Sequence, residues 1–194
     1  MTDQQKEYLK IKVSKLDAAR RQLDCALKLW VNDDDPVSIH TLAFAAFEII
    51  NDLNTKKGNK DVTLQGLTEI LAKPEHLTEV MQRMKAPMTF FKHSNRDPHA
   101  ILEFAPDINP YIFMFAINGL NELGEQLTDI QNTLLQWILI HYPHLFKKGQ
   151  TAFPQLGDKE VEVVTAMRAV TKRQFFDNFI RALAAKRTQL DSLG

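Results

Sequence analysis

Along most of the chain apolar residues recur at the three- and four-residue steps of an amphipathic helix, in blocks separated by scarce glycines and prolines. The first block predicts a helix from about Gln4 to Val31, with Leu9, Val13, Leu16, Leu23, Leu27 and Trp30 on one face. Cys25 falls within it and reads as a small core residue. Asn32-Asp33-Asp34-Asp35 then breaks the pattern ahead of Pro36, the arrangement of an acidic cap before proline at the first helical position. A second helix is expected from Pro36 to about Lys56, ended at Gly58. Its Ile39, Leu42, Ala43, Phe44, Ala46, Phe47, Ile49, Ile50 and Leu53 cover more than half the circumference, so it should be central.

Further along, Thr63 to Ala72 predicts a short helix and Pro74 opens another to about Met84, with Pro87 as its interruption. Phe90 to Pro98 should be helical in its first half and loop in its second, because Asn95, Asp97 and Pro98 are turn residues. Residues 99–108 read as an extended or irregular link, with Ile101-Leu102-Glu103-Phe104 approaching a short strand. Helices from Asn109 to Leu123 and from Gln126 to Tyr142 follow, then a loop from Pro143 to Gly157 and a last helix from Asp158 to about Leu190. The fold class expected is all-α, a helical bundle of six or seven helices in one domain spanning residues 1–194.

Composition narrows the function classes. The 24 basic and 24 acidic side chains cancel, so no global field draws the chain to nucleic acid or anionic lipid, although a local patch is compatible with it. A single cysteine excludes an internal disulfide and a cysteine-based zinc site. The most apolar stretches, Tyr111 to Leu120 and Leu134 to Tyr142, are about half the ~20 residues a bilayer requires. No membrane partner is therefore expected, and with no apolar leader behind Met1 the reading is a cytoplasmic protein.

Chemistry concentrates in Phe90-Phe91-Lys92-His93-Ser94-Asn95-Arg96-Asp97-Pro98-His99, which sets bases, an acid, amides and two imidazoles between an aromatic pair and a proline. Lys92, His93 and Arg96, with Arg83 and Lys85 upstream, could converge on an anion, and Ser94 and Asn95 would add hydrogen bonds. The bland account is architectural. Phe90 and Phe91 would anchor a helix end, His93 would make a buried hydrogen bond, and Arg96 with Asp97 would pin the loop. Metal chemistry has the right ligand types in His40, Glu48, Asp52, His93, Asp97 and His99, but only Glu48 and Asp52 share a helix face at the required spacing. His40 lies about 80° round from Glu48. No nucleophile elbow and no glycine-rich phosphate loop occurs, and no cofactor is expected.

The pairing of Pro-Val-Ser-Ile-His-Thr-Leu-Ala-Phe-Ala-Ala-Phe-Glu-Ile-Ile, residues 36–50, with Phe-Phe-Lys-His-Ser-Asn-Arg-Asp-Pro, residues 90–98, resembles a group of bacterial all-helical proteins. That resemblance implies a fold and no particular activity. More distantly, helices followed by a basic, histidine-containing turn are similar to HEPN domains, helical bundles that often dimerise and in some members cleave RNA. Their motif sets an arginine a few residues before a histidine. Here Pro87 and Met88 stand where His93 would need that arginine, and Ser94 and Asn95 precede His99, with Arg96 too close, so ribonuclease chemistry is not carried over.

The function expected is a binding or interaction module with a polar pocket between the Pro36 helix and the Phe90 to His99 turn, lined by His40, Glu48, Asn51, Lys92, His93, Asn95 and Arg96. A homodimer, a small anionic ligand and a protein partner are compatible with it, and nucleic acid stays open. One alternative is an RNA-directed, toxin-like nuclease with His93 as general acid or base. The other is a metal-dependent enzyme built on His40, Glu48 and His93.

Overall fold

The computed structural model describes residues 10–63, 77–93, 97–142 and 158–192. Among them are seven α-helices and no strand: α1 (Lys15–Val31), α2 (Pro36–Lys57), α3 (Leu77–Lys92), α4 (Asn109–Glu122), α5 (Asp129–His141), α6 (Asp158–Ala169) and α7 (Lys172–Asp191). One-turn 3-10 helices at Lys60–Val62 and Pro106–Ile108 complete the regular structure of the described residues. The all-α bundle expected from periodicity is the observed fold.

Central α2 packs on α1 and on α4, and α3 also lies against it. Its start follows from Asp35, whose carboxylate accepts the Ser38 N–H at 2.8 Å with Pro36 in the first turn. Gly58 ends it in the left-handed conformation at φ 83°. Ile39, Phe44, Phe47 and Ile50 of α2 join Leu23 and Leu27 of α1 and Ile112, Phe113, Ile117 and Leu120 of α4 in one contiguous buried core. Burying each such side chain contributes roughly 1.5–3 kcal/mol.

At one crossing the helices nearly touch. A Cβ on Gly119 of α4 would lie 2.5 Å from Ile50 Cγ2 and 3.1 Å from Asn54 Nδ2, so only glycine permits this approach. Beside it Asn54, fully buried, donates to Ile50 C=O and Gly119 C=O, each at 3.0 Å, and accepts from Asn59 Nδ2 at 3.0 Å. Helices α5 and α7 close with α4 on Trp30, whose ring meets Phe113, Trp137 and Phe176 edge-on at 5.8–6.1 Å. Lys172 lies over that ring at 4.3 Å and pairs with Asp33, tying the head of α7 to the α1–α2 turn.

Four sequence expectations change. The helix that ends at Val31 begins at Lys15: residues 10–14 are not helical, Ser14 with Asp17 forms a reciprocal cap, and the part expected over residues 4–9 lies outside the described residues. Pro87 does not interrupt α3 but lies buried inside it. The last helix is two, parted at Val170, because Thr171 and Gln174 exchange side-chain and backbone hydrogen bonds that restart the helix. Cys25 is exposed on α1 rather than part of the core. The helix expected from Thr63 to Ala72, the start at Pro74 and the loop from Pro143 to Gly157 lie largely or wholly outside the described residues.

Candidate binding site

His40, one turn into α2, is fully buried. Phe44 follows one turn later on the same face and stacks on it at 5.8 Å with 22° between the rings. Because α3 continues through Pro87, its last turn delivers Phe91 edge-on to the imidazole at 5.9 Å. Phe104, from the extended segment before α4, closes the box at 5.1 Å and touches Phe91 at 5.3 Å. The polar contact is Asn109, in the first turn of α4, with Oδ1 2.9 Å from His40 Nδ1.

That bond decides the protonation of the ring. Asn109 offers its carboxamide oxygen, so Nδ1 carries the proton and donates it, and Nε2 keeps a bare lone pair. Nε2 is buried without a hydrogen-bond partner among the described residues. Desolvation pushes the imidazole below its ordinary value, with the Asn109 bond opposing in part. His40 is thus neutral and acceptor-only at its free nitrogen, and an unsatisfied buried acceptor of this kind costs about 1–3 kcal/mol.

Above the box the chemistry is at the surface. Lys92, the last residue of α3, approaches Glu48 of α2 at 3.6 Å, with the two side chains 42% and 51% exposed. Such a pair is worth roughly 0–1 kcal/mol. Asn51 is half-buried further along α2. His93 is exposed instead of making the buried hydrogen bond expected of it, and Phe90 turns outward while Phe91 alone acts as the anchor. Asn95 and Arg96 lie outside the described residues, as does the proposed Arg96–Asp97 pair. Asp97 instead has its carboxylate accepting the His99 N–H at 3.2 Å, a side-chain turn.

The two sequence segments therefore meet, through Phe91 on His40 and Lys92 on Glu48. Among the described residues no three His, Cys, Asp or Glu side chains converge as a metal would require, and His40, Glu48 and His93 are not assembled into a ligand set. Phe104 and Asn109 were missed by sequence reasoning. Asn109 reads as a helix-start residue before Pro110, and nothing local signals that its side chain serves a histidine far back in the chain.

Two further features lie apart from this junction. His141 stacks on Trp137 at 3.5 Å and donates from Nδ1 to Trp137 C=O at 3.0 Å, while its Nε2 is buried without a partner among the described residues. Burial lowers its pKa, the Trp137 bond opposes, and Arg168 lowers it further. A groove of about 440 Å³ runs between the α4–α5 turn and the end of α7, lined by Gln126, Leu127, Asn132, Leu183, Lys186 and Leu190 among others. Arg187 clasps Asp129 across it at 2.5 and 2.9 Å.

No family model, curated protein or solved structure matches the chain. Among the described residues no helix is long and apolar enough to cross a membrane.

Proposed function

We propose that this protein is a binding or interaction module whose contact region is the junction of α2 with the end of α3. The observation that carries the reading is His40: a neutral imidazole, enclosed by Phe44, Phe91 and Phe104, with one nitrogen satisfied by Asn109 and the other unsatisfied. Buried polar groups are ordinarily paired, and an unpaired one is tolerated where it serves something besides stability. The exposed Lys92–Glu48 pair, with exposed His93 next in the chain, supplies a polar rim.

The reading carries a cytoplasmic location with it. It also carries a homodimer, for which Val161 of α6, 50% exposed, offers an apolar contact. Sedimentation of the wild type against Val161→Asp checks the dimer, which the variant should abolish.

The site itself is tested by nuclear magnetic resonance of labelled protein titrated with inorganic phosphate and, separately, with a short single-stranded RNA. Shifts confined to residues 40, 48 and 91–93 are the expected result, and they should vanish in Lys92→Glu. Shifts elsewhere overturn the site. Cleavage of the RNA, lost in His93→Ala, replaces the module with a nuclease.

A further inference from the structure

The segment after the Phe90 to His99 motif has a property of its own. Residues 100–105 form neither helix nor turn, and their exposure alternates: Ile101, Glu103 and Ala105 face outward while Leu102 and Phe104 are half-buried. That is the period of an extended strand, and Ala105 has matching angles, φ −98° and ψ 101°. Both ends are tied. Asp97 C=O accepts the Ala100 N–H at 3.3 Å, and Ala105 C=O accepts the Ile108 N–H at 3.5 Å as the Pro106–Ile108 turn begins. Phe104 pins the inner face to His40 and Phe91.

Between those ties no backbone N–H or C=O of Ile101, Leu102, Glu103 or Phe104 has a hydrogen-bond partner among the described residues. Ile101 is 94% exposed, the most exposed large apolar side chain described, and Glu103 is exposed with no ion pair among the described residues. Backbone groups held at strand spacing with nothing opposite them are complementary to another extended backbone.

We infer that Ile101–Phe104 is a docking edge for an extended peptide of a partner protein, which adds to it as a strand and sets an apolar residue beside Ile101 and a basic one beside Glu103. This rests on the interaction-module reading and names the class of partner. A second copy of the chain fits less well: antiparallel self-pairing about Leu102 opposes Glu103 to Ile101 of the copy and leaves both carboxylates without a cation. A basic peptide supplies that cation and covers the isoleucine.

The test is amide hydrogen exchange on the full chain, with the end-blocked pentapeptide threonine-lysine-threonine-valine-threonine at millimolar concentration as probe. Its alternation puts the lysine and valine on one face of a strand, and its threonines favour extension. Exchange at residues 101–104 should slow several-fold. The fully N-methylated peptide should have no effect, Glu103→Lys should weaken binding roughly threefold, and Ile101→Pro should remove it. Unchanged exchange at 101–104 overturns the inference. If the peptide instead perturbs Glu48, Lys92 and His93, the strand edge falls and the module reading stands. Protection that grows with protein concentration in the absence of peptide assigns the edge to a second copy and likewise overturns it.

Discussion

Helices α2 and α4 are joined near each end by a buried polar side chain of α2, and the two joints differ. At one, Asn54 has its amide and its oxygen all engaged, and Gly119 lets the backbones close on it. At the other, His40 has a single bond to Asn109 and an idle nitrogen among aromatic rings. A fully satisfied polar group fixes the register of two helices and leaves nothing to offer a ligand. A half-satisfied one gives up stability and keeps an acceptor in reserve. The difference separates architecture from candidate function along a single helix.

The largest expected effect tests the satisfied joint. Gly119→Ala forces a methyl against Ile50 and should cost about 3 kcal/mol by overpacking, read as a lowered urea midpoint with an unchanged slope. Asn54→Leu should follow at about 2 kcal/mol, because it strands the Gly119 carbonyl and the Asn59 amide in a packed crossing. His40→Phe sharpens the contrast: it removes the idle nitrogen while orphaning Asn109, and stability should move by no more than about 1 kcal/mol. A loss as large as that of Asn54→Leu would erase the distinction between the joints.

Acid should reveal the same asymmetry. His40 and His141 are both held below the ordinary imidazole value by burial, so the unfolded chain binds their protons first. Stability is therefore fully present above about pH 6.5 and is lost as pH falls below it toward the depressed folded values. In His40→Phe the slope should be shallower, the remainder belonging to His141. Asp17 and Asp35 add a later loss: their capping bonds hold both carboxyls below the ordinary value, so their contribution disappears only as acid protonates them. Lys92→Gln should have the smallest effect, under about 0.5 kcal/mol and weaker still in high salt, since its partner Glu48 is half exposed.

The helix starts show what was legible and what was overlooked. Asp35-Pro36 marks the head of α2 unmistakably, and the structure has it there. The heads of α1, α5 and α7 were set too early or missed, though each follows the same local rule: Ser14 before Asp17, Thr128 before Gln131 and Thr171 before Gln174. The signal lay in the sequence, but the apolar period running across those positions masked it. Pro87 is the converse case. Its residue type argues for a break, yet it sits buried within α3, and the helix carries on to present Phe91 and Lys92. Tertiary packing outweighed the local cost.

For the site, residue type and face on α2 were enough to single out His40 and Glu48, and the density of polar groups was enough to single out Lys92 and His93. Sequence alone determined an all-α fold, a central α2 and its boundaries, because these depend on periodicity and capping within a few residues. Only the tertiary structure decided that Phe91 rather than His93 faces His40, that Asn109 is its partner, and that Phe104 closes the box. Those contacts join residues far apart in the chain, and which side chain reaches in depends on helix rotation and crossing that no local pattern encodes.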